Sequence, residues 1–300
     1  MTIRIHIGVH KTATTELQYS LRRVSAKLSE AGTGYLGPRD LRDERFQLHA
    51  ALREGSEDLK GACSSALQNW LSGHEVHLLS EENIIGTTHR TSLFSDDGRL
   101  YPLATEQLAE LLELMGSPEV ELFMAVRDPA DFVTSAYGQQ LRTGMLADLD
   151  GYLRNATVQR LSWTELAMRL LENDLVSRVV FWRYEDHERL RPHILEAMIG
   201  PDLAGIVPRM GWHNGGISQQ AYDMLVKTAL EDTKTPVRQL LQQARTAHPR
   251  KQGVPQMRLL PQLVHRRSRD AYAQDILKMA QLDRVTFLDP THIPEDSQPA

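Results

Sequence analysis

Four short apolar runs punctuate the first two thirds of the chain: Ile3–Val9, Glu75–Leu79, Val120–Val126 and Arg178–Trp182. Each is too short for a core helix and is bounded by polar or small residues, which predicts a strand. Between them, apolar positions recur at helical spacing over Thr14–Glu30, Leu59–Leu71, Thr105–Met115, Pro129–Arg142 and Ser162–Leu171. Strands that alternate with helices predict right-handed crossovers and a parallel sheet covered on both faces. After Trp182 the pattern turns mainly helical, over Arg189–Met198, Ser218–Leu230, Val237–Thr246 and Arg267–Gln281. No internal repeat and no Gly/Ser linker divides the chain, so one α/β domain over residues 1–300 is expected, with a frayed PEDSQPA tail.

Composition narrows the possibilities. Apolar residues make up 41 % of the 300, enough for a sizeable core. The 34 Lys and Arg fall short of the 39 Asp and Glu, a net charge of −5, so general nucleic-acid binding is not expected. Cys63 is the single cysteine, which excludes a disulfide framework and suits a reducing compartment. The charges of MTIRIHIGVHK fall inside its apolar run, so it reads as neither a secretory signal nor a membrane anchor. A cytoplasmic protein is the expectation.

One region departs from the acidic balance. Residues 237–269 hold Arg238, Arg245, Arg250, Lys251, Arg258, Arg266, Arg267 and Arg269, and no Asp or Glu. Such a stretch is either a solvated helical face or a surface turned to an anionic ligand.

The strongest chemistry lies at the start. After the first strand come His10, Lys11, Thr12, Ala13, Thr14 and Thr15, then a helical pattern. A strand–turn–helix corner gathers unpaired backbone N–H groups at the positive end of the helix dipole. Lys11 adds a full charge, and Thr12, Thr14 and Thr15 add hydroxyls, so an anion, best a phosphate, suits this corner. A Walker A loop needs G-x-x-x-x-G-K-[ST]. Here Gly8 stands only three residues before Lys11, and the strand Val120–Val126 runs into Arg127 rather than a magnesium-binding aspartate.

The run H-K-T-A-T-T after a strand resembles the 5′-phosphosulfate loop, P-K-x-G-T-T, of sulfotransferases that use 3′-phosphoadenosine-5′-phosphosulfate (PAPS). His10 stands for the usual proline and Ala13 for the usual glycine. A second segment, VRDPADFVTS, is similar to the family's 3′-phosphate element: Arg127 closes a strand and Ser135 follows eight residues later in a helix. A terminal phosphate carries about two charges and rewards a bidentate guanidinium. Asp128 fits a helix N-cap, with Pro129 in the first turn.

The resemblance, to the bacterial and Golgi-type carbohydrate branch, implies a three-layer, P-loop-like α/β fold with a central parallel sheet and a helical C-terminal third. It implies sulfuryl transfer from PAPS to an acceptor hydroxyl, most simply of a carbohydrate, with adenosine 3′,5′-bisphosphate (PAP) as product and no metal. Lys11 would stabilise the leaving phosphate. PRKQG, residues 249–253, is similar to a closing loop over the nucleotide, which makes Arg250 and Lys251 binding candidates, although solvated charges fit equally well. HNGGIS, residues 213–218, is similar to an N-x-x-x-S segment, with Ser218 first a helix cap. The family's strand-end histidine is replaced here by Ser80, Glu81 and Glu82. That leaves the general base open, with Glu81 or Glu82 as the first candidate and His49 as a second. Two other classes stay open: an ATP-dependent kinase-like enzyme, and a non-catalytic relative that binds PAP. Neither the acceptor nor the oligomeric state is legible.

Overall fold

The computed structural model describes residues 1–145, 148–211, 216–251 and 253–292. Its strands are β1 Thr2–His6, β2 Thr33–Leu36, β3 Val76–Ser80, β4 Val120–Val126, β5 Val176–Arg183 and β6 Val285–Phe287. They form one six-stranded sheet in the order β2-β3-β1-β4-β5-β6, with every pairing parallel. The longer helices, in chain order, are α1 Thr14–Arg23, α2 Ser25–Glu30, α3 Leu48–Glu54, α4 Glu57–Leu71, α5 Ala104–Leu114 and α6 Pro129–Thr143. They continue as α7 Trp163–Leu171, α8 His187–Ile199, α9 Gln219–Glu231, α10 Val237–Ala247 and α11 Gln262–Met279.

The pleat divides the core into two layers. Successive residues of a strand point to opposite faces. Leu122, Met124 and Val126 of β4 join Ile5 and Phe181 on one face, under Leu67 of α4, Leu111 of α5 and Leu166 of α7. Phe123 and Ala125 join Leu78 and Trp182 on the other, under Leu17 and Leu21 of α1, Leu28 of α2 and Ile194 of α8. The result is a three-layer α/β fold, as the alternating pattern predicts. No helix among the described residues is long and apolar enough to cross a membrane.

Several boundaries differ from the sequence reading. β1 stops at His6 because Gly8 turns to φ 67°, although Ile7 and Val9 stay fully buried. The helix expected over Thr14–Glu30 breaks at Val24, whose ψ of 9° ends α1 before Ser25 starts α2. α11 begins at Gln262, just after Pro261, well before Arg267. β2 (TGYL) and β6 (VTF) carry too few residues to show a period, and each is recruited by its neighbour in the sheet. The C-terminal third is thus helical but returns a last strand to the edge beside β5. The expected frayed tail lies outside the described residues.

The topology singles out one crevice. From β1 the chain crosses towards β2 and β3, whereas from β4 it crosses towards β5 and β6. Beyond the carboxyl ends of β1 and β4 lies the switch point where parallel sheets of this kind bind ligands.

Candidate functional site at the switch point

The corner after β1 is strained. Gly8, Lys11 and Ala13 have φ of 67°, 66° and 64°, the left-handed region that costs a residue with a Cβ about 1–2 kcal/mol. A Cβ at position 8 would stand 2.9 Å from the Glu82 Cβ, so glycine is required there on both counts. Ala13 is the N-cap of α1 and offers no side-chain acceptor to the first turn. Among the described residues, the amides of Thr12, Ala13, Thr14 and Thr15 have no protein acceptor. They are left for an anion at the positive end of α1.

The hydroxyls divide differently from the expectation. Thr12 and Thr14 both donate to the Val9 carbonyl, at 2.5 and 3.3 Å, and both are buried. A hydroxyl has one hydrogen to give. These two therefore pin the loop, and Thr15 is the threonine whose donor is open. His10 is fixed from both sides. Its Nε2 lies 3.2 Å from Asn83 Oδ1 and its Nδ1 lies 2.9 Å from the Tyr101 hydroxyl. An amide oxygen only accepts, so Nε2 carries the proton and the tyrosine donates to Nδ1. Burial lowers the His10 pKa, in keeping with this neutral tautomer. Histidine thus holds the loop through hydrogen bonds where proline would hold it through its ring.

The corner after β4 reaches the same place. Arg127 Nη1 donates to the Lys11 carbonyl at 2.8 Å, and its guanidinium lies 4.5 Å from the centre of the Tyr184 ring. Its own carbonyl accepts from Trp163 Nε1 at 2.9 Å. Asp128 caps α6 as expected, accepting from the Ala130 amide and from Ser268 Oγ, both at 2.9 Å. Ser135 then stands on a half-buried stripe of α6, one turn before Gln139 and two before Arg142.

A cavity of about 420 Å³ joins these corners. Lys11, Ala13 and Thr15 line it from the first, and Arg127, Ser135 and Arg142 from the second. Glu82 and Asn83 enter from the end of β3, and Arg250 from the loop after α10. Positive charge dominates. Burial lowers the Lys11 pKa to about 8, and the nearby Arg142 and Arg127 push the same way against Glu82. Glu16 also lines the wall but is already engaged. Burial pushes its carboxyl up, but the nearby His187 imidazole and hydrogen bonds from Arg191 and Ser20 outweigh this and hold it at about 2. A polyanion would relieve the excess of cations.

The three base candidates part company. Glu81 is fully buried and away from the cavity. It accepts from His49 Nε2 and Arg42 Nη2, both at 3.2 Å, and from the Asn83 amide and side chain at 3.0 and 2.6 Å. Burial raises its pKa, but the His49 and Asn83 interactions prevail and bring it to about 2. The structure thus places Glu81 and His49 in a pair away from the cavity wall. Glu82, one residue on, points to the opposite side and faces the cavity, with Oε2 accepting from Gln18 at 2.7 Å.

Lys251 is exposed and off the cavity wall, and its carbonyl accepts from Arg250 at 2.5 Å. The eight cations of 237–269 are all exposed and, among the described residues, none has a carboxylate partner. Only Arg250 among them lines the cavity. Ser218 caps α9, accepting from the Ala221 amide at 3.1 Å, while Asn214 and Gln252 lie outside the described residues. Sequence reasoning missed Gln139, Arg142, Tyr19 and Tyr184. The first two were signalled by their i+4 and i+7 spacing from Ser135, which keeps them on one helix face; the tyrosines carried no local signal. No family model, curated protein or solved structure matches this chain.

Proposed function

We propose that the protein is a PAPS-dependent sulfotransferase acting on an acceptor hydroxyl, with a carbohydrate as the simplest acceptor. One observation carries this reading. Lys11 with its loop amides, and Arg127 with Ser135, come from two separate strand–helix corners and face a single cavity. The donor set suits a nucleotide with phosphates at both ends: free amides and Thr15 at one corner, a stacked guanidinium and a serine at the other.

When bound, PAPS supplies a sulfuryl group joined to its 5′-phosphate by the bond that breaks. The Thr12–Thr15 amides would hold that phosphate, and Lys11 would meet the bridging oxygen as charge develops on it. Preorganised donors of this kind are worth about 3–4 kcal/mol each. Arg127 and Ser135 would hold the 3′-phosphate, with Arg250 at the rim. Glu82 would take the proton from the acceptor hydroxyl while its oxygen forms the new bond to sulfur. The products are then the sulfate ester, PAP and a protonated Glu82, which returns its proton to solvent.

The test is turnover of radiolabelled PAPS against a mixed saccharide panel in the presence of a chelator. Appearance of labelled ester with equimolar PAP supports the reading. An ATP- and magnesium-dependent phosphoryl transfer by the same preparation would replace it with kinase chemistry.

A further inference from the structure

Beside the candidate nucleotide cavity lies a second one, of about 460 Å³. The two share Thr15, Tyr19 and Glu82 in their walls. Thr15, Gln18, Tyr19 and Arg22 all face it, the i, i+3, i+4, i+7 stripe of α1. The opposite wall is the turn after β2, which brings Arg39 and Arg42.

Its charges are unbalanced. Asp40 is committed to the turn, where it accepts from the Gly37 amide at 3.0 Å, and Glu82 is held by Gln18. Arg42 is half-exposed and shared with buried Glu81. Arg22 and Arg39 have no carboxylate partner among the described residues. Tyr19, 53 % exposed, presents its ring at the seam between the cavities.

We infer that this second cavity is the acceptor subsite, and that it selects an acceptor bearing a carboxylate or sulfate group. The inference rests on the proposed sulfotransferase reading for the identity of the neighbouring site. Its geometry sets a length. Arg22 is seven residues beyond Thr15 on α1, a rise of about 10 Å. The long Arg22 side chain covers part of that rise, so an acceptor with its reacting hydroxyl at Glu82 and Thr15 carries its anionic group at the far end of a disaccharide. The Tyr19 ring offers an apolar face to the sugar between them. Unpaired guanidiniums are well suited to a planar carboxylate or a sulfate, which they bind through two N–H groups.

Calorimetry on protein saturated with PAP, and in parallel on nucleotide-free protein, tests this with cellobiose, its uronic acid analogue and a mono-sulfated cellobiose. The expected result is that an anionic disaccharide binds at least about tenfold tighter than cellobiose. The variant R22Q/R39Q loses that preference, while its affinity for PAP and its melting temperature stay as in the parent. If the sulfated but not the carboxylated probe gains, the subsite reads sulfate; the reverse result assigns carboxylate. Equal affinity for neutral and anionic probes, no measurable binding of either anion, or a preference that survives in R22Q/R39Q overturns the inference. Failure of PAP to bind, with the anion preference intact on nucleotide-free protein, sinks the sulfotransferase reading and leaves the arginine subsite standing.

Discussion

The guanidinium of Arg127 hydrogen-bonds the backbone carbonyl of Lys11 at 2.8 Å, joining two corners that are 116 residues apart in sequence. Arg127 thus shapes the loop that carries Lys11 before any ligand arrives. The same side chain stacks on Tyr184, which leaves its other guanidinium edge for the cavity.

Arg127→Lys keeps the charge but loses the planar fork. A lysine cannot stack, hold the Lys11 carbonyl and grip a phosphate together. PAP affinity is expected to fall by about 2–3 kcal/mol, and affinity for 5′-AMP, which lacks the 3′-phosphate, by much less. Calorimetric titration of the variant with both nucleotides decides this. Equal losses for both would assign Arg127 to loop shape alone.

Lys11 supplies a pH dependence. Its folded value of about 8 lies below the ordinary 10.5 for lysine, because burial and two arginines oppose its charge. Between those values the unfolded chain binds more protons, so the penalty is present below about 8 and fades as pH rises towards 10.5. A bound polyanion favours the charged form, so PAP binding is expected to take up a proton near pH 8.5. Titrations in buffers of different ionisation enthalpy measure that uptake. Lys11→Met should abolish it and lower sulfuryl transfer by about 100-fold or more while PAP still binds.

Ala13 is a natural place to test backbone strain. At φ 64° its Cβ is disfavoured, and the sulfotransferase loop that this segment resembles has glycine there. Ala13→Gly is expected to raise stability by up to about 1 kcal/mol, the strain relieved less the entropy of a freer unfolded chain. Ala13→Val should lower it by more than that, since a β-branched residue tolerates this region worst. Denaturant midpoints of the two variants, moving in opposite directions, are the readout.

Adjacent carboxylates give opposite phenotypes. Glu81 is ionised and buried against His49, Arg42 and Asn83. Its pKa of about 2 against an ordinary 4.5 contributes stability that is present above 4.5 and lost as pH falls towards 2. Glu81→Gln should therefore cost about 3 kcal/mol and flatten the acid unfolding curve. Glu82→Gln should leave the melting curve nearly unchanged and slow turnover by about 100-fold or more. A stable, inactive Glu81→Gln protein would reverse the two assignments.

Legibility followed the range of the interactions. β4 and α6 were readable because VELFMAV and the Asp128–Pro129 start signal are local, and the Arg127–Ser135 spacing travels with them. The loop after β1 was readable for the same reason. β2 was not, since TGYL becomes a strand only by pairing with β3. Nor could the sequence choose between Glu81 and Glu82: neighbouring residues face opposite ways, and which way is inward depends on His49 and Arg42 from a distant segment. Nor could the sequence show which threonine hydroxyls are engaged, because the Val9 carbonyl that takes those of Thr12 and Thr14 comes within reach only once the turn has closed.

The central claim is that Lys11 and Arg127 grip opposite ends of one doubly phosphorylated adenosine. Calorimetric binding of PAP and of 5′-AMP to the unmodified protein in a chelator tests it most directly. The account predicts one site per chain, with PAP at least about 100-fold tighter than 5′-AMP, because the 3′-phosphate adds charge-assisted bonds to Arg127 and Ser135. Equal affinities, or two independent PAP sites on one chain, would contradict it.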